Sequence, residues 1–180
     1  MNSSAINLPN AEDLLVILAQ KLQPLLQANT ALVGIQSGGV WLLQRLLVLL
    51  ENDITANAIE YGTLDVSFYR DDYAKRGLKP ENRPSQIAFE VESKHIVLLD
   101  DVFYTGRTTR AAMNELFDYG RPASISLAAL VNRGGRELPI TPQVIAADIS
   151  LPAHLNLQLI QQADGTLSLA LQPNTASTSV

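Results

Sequence analysis

Residues 95–119 read HIVLLDDVFYTGRTTRAAMNELFDY, and this stretch decides the predicted fold. The apolar run at 96–99 is short and rich in branched side chains, which is typical of a strand buried on both faces of a sheet. Asp100 and Asp101 follow it, and we expect them to end the strand. A strand of this kind indicates an α/β protein with a mainly parallel sheet.

A short loop and a helix follow the acidic pair. Residues 102–106 form the predicted loop, in which Gly106 can adopt backbone angles that other residues avoid. Thr108 or Thr109 is expected to cap the helix, because a hydroxyl group can accept hydrogen bonds from the N–H groups of a first helical turn. From Arg110 onward the apolar residues repeat at helical spacing.

This arrangement predicts a ligand site. A parallel strand carries its last residues to the carboxyl edge of the sheet, where open α/β folds bind ligands. Two carboxylates there can hold a sugar diol, a metal ion or both. The loop brings N–H groups, hydroxyl groups and a helix N-terminus to the same place, an environment that favours phosphate. Together, the acids and the loop match a ribose 5-phosphate.

The same residues carry a family resemblance. LLDDVFYTGRTT at 98–109 resembles the phosphoribosyl-pyrophosphate motif of type I phosphoribosyltransferases. The longer run DDVFYTGRTTRAAMNELFDYGRPASISLAALVNRGGRELPI is similar to one branch, the pyrimidine-operon regulators with uracil phosphoribosyltransferase activity. TLDVSFYRDD at 63–72 adds to the likeness, which extends over about residues 34–140. Many strands end in Asp where a chain leaves a sheet, so the TGRTT that follows makes the motif specific.

The resemblance implies a type I phosphoribosyltransferase-like fold, with helices flanking the sheet and a small hood. It implies that Asp100 and Asp101 bind the ribose hydroxyl groups, partly through Mg²⁺, which prefers oxygen ligands. Arg70 joins this acidic pair as a catalytic residue. The residues expected to hold the ribose 5-phosphate with the acids are Val102, Thr105, Gly106, Arg107, Thr108 and Thr109.

A second loop, Gln-Ser-Gly-Gly at 36–39, lies between a predicted strand at 31–35 and a predicted helix at 40–50. In the resembling family this loop holds the pyrophosphate of the co-substrate, a role that falls here to Ser37, Gly38 and Gly39. Many members carry an arginine where Gly38 stands, so this chain lacks one positive charge near the leaving group. Backbone donors still provide most of such a cradle.

Residues 69–84, YRDDYAKRGLKPENRP, have five basic side chains and no apolar period. One interpretation is a solvated surface loop. The other is a mobile lid that closes over pyrophosphate and excludes water. In the second case Arg70 and Arg76 contact the leaving group. We expect strands on both sides of this segment: Thr55–Tyr61 and Leu64–Phe68, joined at Gly62, before it, and Ala88–Val91 after it.

Residues 132–136, NRGGR, follow a predicted strand at 124–131. In the family this segment helps to form a hood over the base, which is read largely by backbone groups, so the base-binding residues here are Val131, Asn132 and Arg133. Members commonly show Asp-Arg-Gly-His-Arg, and Asn132 and Gly135 depart from that pattern.

Both ends of the chain are also predicted. Pro9 to about Ala28 is expected to form an amphipathic helix, with the proline in its first turn. Leucines alternate around Asp164-Gly165, which predicts a hairpin that serves as an edge ribbon or subunit contact. We expect one domain over residues 1–172, a hood from about 132 to 172, and a disordered tail over 173–180.

Composition limits the function classes. The 180 residues contain no cysteine, so disulfides and thiolate metal sites are excluded. Apart from Lys21 and Arg45, every basic residue lies between Arg70 and Arg136, the region of the predicted site. The net charge of −5 argues against bulk affinity for nucleic acid. We find no membrane span and no signal peptide, and a cytoplasmic protein is expected.

These inferences predict a uracil phosphoribosyltransferase that makes UMP and pyrophosphate from uracil and phosphoribosyl pyrophosphate, with Mg²⁺. It would serve pyrimidine salvage and the regulation of pyrimidine biosynthesis genes. The alternative is a weakly catalytic or non-catalytic regulator that senses UMP or UTP and binds pyrimidine-operon mRNA. Transfer to another base, such as a purine, is a third reading. The resemblance implies a homodimer or a higher homo-oligomer.

Overall fold

The structure is a computed structural model that describes residues 6–50, 59–66 and 84–174. Three α-helices and eight strands lie in these ranges. In order they are α1 (Ala11–Leu22), β1 (Thr30–Ile35), α2 (Gly38–Leu50), β2 (Glu60–Leu64), β3 (Gln86–Ile87), β4 (His95–Phe103), α3 (Arg107–Asp118), β5 (Ser124–Asn132), β6 (Val144–Asp148), β7 (Leu155–Gln161) and β8 (Leu167–Pro173). Predicted strand residues 55–58 and 67–68, and most of the predicted lid, lie outside the described residues.

Six strands form one sheet in the order β3-β2-β1-β4-β5-β6. All neighbours are parallel except β2 and β3, which pair antiparallel. The strand β4 lies in the middle, with Leu98 opposite Val33 of β1 on one side and Leu127 of β5 on the other. The predicted α/β fold with a mainly parallel sheet is confirmed.

Side chains of β4 alternate between two apolar layers. Val97 and Leu99 pack in a core shared with α1 and α2, whereas Ile96 and Leu98 pack in a second core shared with α3. Because both faces are covered, the strand has no polar side, which explains its unbroken apolar run. Full burial of a leucine such as Leu98 contributes roughly 1.5–3 kcal/mol to stability.

The acidic pair does not end β4, contrary to the prediction. The strand continues to Phe103, because β5 is long enough to pair with it beyond the acids. Asp100 lies opposite Ala129, and Phe103 lies opposite Asn132. A sequence pattern that changes from apolar to acidic therefore marks the point where the strand leaves the core, not its last residue.

The predicted cap of α3 is also wrong. The helix begins at Arg107, and its N-cap is Gly106, which has φ +89° and makes no side-chain cap. Glycine fits there because a left-handed backbone costs it little. Thr108 and Thr109 lie inside the first turn, so their hydroxyl groups cannot serve as the cap.

The first helix also starts later than predicted. The carboxamide of Asn10 accepts hydrogen bonds from the N–H groups of Glu12 and Asp13, at 2.8 and 3.3 Å. This makes Asn10 the N-cap and leaves Pro9 outside the helix. A 3-10 turn over Gln23–Leu25 ends the segment.

Two strand predictions near the sheet edge are wrong. Gly62 does not join two strands but lies within β2, where a Cβ atom would be 2.6 Å from Cδ1 of Ile87 on β3. The close approach of β3 explains this glycine. The strand β3 itself covers two residues, and residues 88–91 are not a strand.

The C-terminal hairpin is confirmed, with β7 and β8 antiparallel and Leu159 opposite Leu169. It forms a two-stranded sheet of its own, not an edge of the main sheet. Leu157, Leu159 and Leu167 are buried in the core that α1 and α2 share. Thus the hairpin is part of the domain core.

The predicted hood range of 132–172 contains β6, which belongs to the central sheet. Pro173, placed in the predicted tail, is the last residue of β8. The tail residues 175–180 lie outside the described part. Within the described ranges, no helix has the length and apolarity needed to cross a membrane.

Candidate active site

The carboxyl edge of the sheet brings together the ends of β1, β4 and β5. Asp100 and Asp101 are the sixth and seventh of the nine residues of β4, and Asp100 is 6% exposed. Successive side chains of a strand point to opposite faces. Asp101 is therefore on the face that α2 covers, and Asp100 is on the face that α3 covers, with the strand end between the two helix N-termini.

Two glycines let α2 begin directly against this strand. A Cβ atom on Gly38 would lie 2.3 Å from the carboxylate carbon of Asp101, and one on Gly39 would lie 2.2 Å from the carbonyl oxygen of Leu99. No other residue type fits at such distances without movement of its neighbour. The predicted pyrophosphate loop and the acidic pair are consequently in direct contact.

This contact gives a physical reason for Gly38. An arginine at that position would place its Cβ atom on the Asp101 carboxylate. The acid thus occupies the space that a larger residue would need. Ser37, before the glycines, is exposed, and the Gln36–Ser37 peptide bond is cis.

The predicted phosphate loop is held by the segment that follows β5. The carbonyl oxygen of Thr105 accepts hydrogen bonds from the N–H groups of Glu137 and Leu138, at 3.0 and 3.2 Å. The hydroxyl group of Thr105 accepts from the N–H group of Arg107 at 3.3 Å. The backbone at 105–107 is therefore held both by the segment after β5 and by the Thr105 side chain.

The side chains of this loop differ in their accessibility. Arg107 is exposed, and its Nε donates to Glu137 at 2.9 Å in an ion pair whose two side chains are about half exposed. Thr108 is half-buried. Thr109 is 1% exposed and its hydroxyl group has no partner among the described residues, so its side chain belongs to the core. Thr109 can therefore contact a phosphate through its backbone but not through its side chain.

The predicted base-binding residues end β5. Val131 is buried. The amide nitrogen of Asn132 donates to Asp148 of β6 at 2.7 Å, and its amide oxygen accepts from the N–H group of Gly134 at 3.2 Å. An aspartate at 132 would face the Asp148 carboxylate, which explains why asparagine suits this chain. Arg133 is 5% exposed, and so its side chain is not open to a base in this conformation.

Sequence reasoning missed Tyr104, which lies between the acids and the phosphate loop. The guanidinium carbon of Arg133 is 3.8 Å from the centre of its ring. On Gly135, a Cβ atom would be 2.4 Å from ring atom Cε2, which shows that the backbone there touches the ring. The only sequence signal was Gly135 itself, a departure from the family pattern that leaves room for an aromatic ring.

A second polar group lies farther along α3. The hydroxyl group of Ser85 donates to Glu115 and accepts from the N–H group of Asp65 at 2.8 Å. Burial raises the pKa of Glu115, and the nearby Asp65 and Asp118 raise it further, although the Ser85 hydrogen bond opposes them. These contacts fasten both described flanks of the predicted lid to α3. Arg70 and Arg76 are outside the described residues.

The donor set fits Mg²⁺ that is held partly by a substrate. Asp101 is half-buried and offers carboxylate oxygens at the ligand edge of the sheet, whereas the Asp100 carboxylate is almost fully buried. Among the described residues, no three His, Cys, Asp or Glu side chains form a cluster suited to a metal ion. Magnesium commonly binds through one or two carboxylates together with substrate phosphates, which is compatible with such a pair.

Sequence comparison places the chain among known proteins. The phosphoribosyl transferase domain family matches residues 8–150. The bifunctional protein PyrR of Pseudomonas fluorescens strain Pf-5 is 47% identical over 168 residues, which cover 93% of this chain and 95% of that protein. The protein of the same name from Pseudomonas syringae pv. tomato is 44% identical over 179 residues, which cover 97% and 100%.

Solved structures support the fold. A hypoxanthine phosphoribosyl transferase of Trypanosoma cruzi superposes with a TM-score of 0.60 at 18% identity, covering 86% of this chain and 83% of that one. A hypoxanthine phosphoribosyltransferase of Staphylococcus aureus gives 0.57 at 16% identity, covering 81% and 77%. Together with the family match and the PyrR relatives, these likenesses show that the chain belongs to the type I phosphoribosyltransferases, in the PyrR family.

Proposed function

We propose that this chain transfers a phosphoribosyl group from phosphoribosyl pyrophosphate to uracil and releases UMP and pyrophosphate. The proposal rests on one observation above all. The acidic pair of β4 lies between the N-termini of α2 and α3, so that Gly38 contacts Asp101 while the loop at 105–107 begins four residues later. This spacing suits a sugar with a phosphate on each side.

Each group has a part in that reaction. Asp100 and Asp101 would bind the ribose hydroxyl groups and hold a magnesium ion, which would supply positive charge for the leaving pyrophosphate. Backbone N–H groups of residues 105–109 hold the 5-phosphate, and Ser37 and the two glycines after it hold the pyrophosphate. A uracil nitrogen attacks the anomeric carbon as the bond to pyrophosphate breaks, and the proton of that nitrogen is released to solvent. Positive charge develops on the sugar, so positioning and electrostatics provide most of the rate enhancement.

The test is a turnover assay with purified protein, magnesium, uracil and phosphoribosyl pyrophosphate, in which UMP is measured. Asp101→Asn removes the charge beside Gly38 and is expected to lower kcat by about 100-fold, as loss of an electrostatic group in an active site does. Asp13→Asn, the same change at an exposed site on α1, serves as the matched control and should retain wild-type activity. Absence of UMP, while a known enzyme produces it in parallel, would refute the proposal.

A second candidate function is favoured by Gly38, because the chain lacks the arginine that many family members have beside the leaving group. In this reading the protein senses UMP or UTP, binds pyrimidine-operon mRNA and turns over slowly. Measuring RNA binding at several salt concentrations separates the two, since phosphate contacts give a salt-dependent affinity. Turnover without RNA binding supports the enzyme, and the reverse result supports the regulator.

Several finer points belong to the same proposal. The enzyme would act in the cytoplasm, in pyrimidine salvage, as a homodimer or larger assembly. Light scattering on the eluted protein determines its subunit number. The choice of base is tested by comparing uracil with hypoxanthine and guanine as substrates. A purine remains an alternative because the hood reads the base largely through backbone groups.

A further inference from the structure

Arg133 is a buried cation with no acidic partner in the described part of the chain. It is 5% exposed, and no described carboxylate forms an ion pair with it. Its Nε atom also has no hydrogen-bond partner among these residues. A buried, unpaired charge is costly. The contacts that offset this cost are those that the rest of the residue makes.

Those contacts converge on the residue before the phosphate loop. The guanidinium group stacks on Tyr104, 3.8 Å from the ring centre, and the backbone of Gly135 touches the same ring. The backbone N–H group of Arg133 donates to the carbonyl oxygen of Phe103 at 2.9 Å. The segment that starts at Arg133 then fixes Thr105 through the two N–H groups described above. The Tyr104 ring is thus in contact with the side chain of Arg133 and with the backbone of Gly135.

A third contact reaches a distant part of the chain. Nη2 of Arg133 donates to the carbonyl oxygen of Leu155, the first residue of β7. A single side chain therefore connects the C-terminal hairpin with Tyr104. Only arginine suits this place, because a planar guanidinium group can stack on a ring and donate in its own plane at once, whereas the lysine ammonium group cannot.

We infer that Arg133 is a positioning residue for the 5-phosphate loop: it fixes Tyr104, and through it the backbone of Thr105, while it ties both to the C-terminal hairpin. This inference rests on the proposed function, because it takes the loop at 105–109 to bind the phosphate of UMP. It assigns the Arg133 side chain to the phosphate end of the nucleotide, although its backbone remains in the predicted base-binding segment.

The experiment compares UMP with uridine, which lacks only the phosphate. Dissociation constants for both are measured by NMR titration of the full chain, and their ratio reports how well the loop holds a phosphate. Arg133→Lys keeps the charge but loses the stacking and is expected to lower that ratio about tenfold. Uridine affinity should change less than twofold. Arg121→Lys, at an exposed position outside the site, is the matched control and should keep the wild-type ratio.

Tyr104→Leu removes the ring but leaves Arg133 and its bond to the hairpin, so it should reproduce the effect. The double variant should lose little more, because both changes break one interaction. If Arg133→Lys does not fold, Tyr104→Leu alone provides the test. Equal loss of UMP and uridine affinity, or no loss, would overturn the inference. Wild-type protein that binds no UMP would instead overturn the proposed function, and this inference with it.

Discussion

Gly39→Ala tests whether the contact between α2 and β4 builds the site. The new Cβ atom would lie 2.2 Å from the carbonyl oxygen of Leu99, whereas ordinary van der Waals contact begins at 3.4 Å, so the two must separate by about 1.2 Å. The atom that must move belongs to the backbone of the central strand, which is paired on both sides. A change of rotamer cannot relieve the clash.

The expected cost follows from that geometry. Overpacking of a close-packed interior costs typically about 1–3 kcal/mol, and the fixed carbonyl group places this case near 3 kcal/mol. For a domain of this length each kcal/mol lowers Tm by about 2–4 °C. We expect Gly39→Ala to melt about 6–12 °C below the wild type in differential scanning calorimetry.

Gly38→Ala is the informative partner. Its Cβ atom would meet the side chain of Asp101, which can rotate away, whereas Gly39 faces backbone. Its Tm should therefore fall less, while its turnover falls to the level of Asp101→Asn. A Gly39→Ala protein with wild-type Tm, or a Gly38→Ala protein with full activity, would refute the close contact on which the site depends.

Two further predictions concern regions away from the acids. The pKa of Glu115 is higher in the folded state than in the unfolded state. Stability is therefore lost as the pH rises from the ordinary pKa of a glutamate through the raised pKa of the folded state, because the folded protein ionises this group less readily. Glu115→Gln, which can still accept from Ser85, should therefore gain stability over the wild type in urea unfolding at pH 7.5 but not at pH 4. Arg45→Met removes an ion pair in which both terminal nitrogens of Arg45 donate to the Glu12 carboxylate. It also removes a 3.0 Å hydrogen bond to the carbonyl oxygen of Gly165. We expect a loss of about 1–2 kcal/mol and faster proteolysis of the hairpin, and an unchanged cleavage rate would contradict this.

The sequence was most informative where one local pattern determines the outcome. The buried strand β4 and the hairpin around Gly165 were both predicted, because a period of two or an unbroken apolar run is a property of the segment itself. The extension of β4 past Asp100 was not, because it depends on the length of β5. Likewise, the stacking of Arg133 on Tyr104 joins residues 29 positions apart, and nothing in either segment alone indicates it.

At position 38, the absence of an arginine charge and the close contact with Asp101 have the same cause. An arginine there would supply a cation, but its Cβ atom would displace the Asp101 carboxylate. Without it, Asp101 reaches the N-terminus of α2, where the helix dipole presents roughly half a positive charge. That dipole stabilises the acid but cannot also neutralise a leaving pyrophosphate. The proposed reaction would therefore need that charge from a bound magnesium ion, so we expect the glycine to make this chain more dependent on the metal.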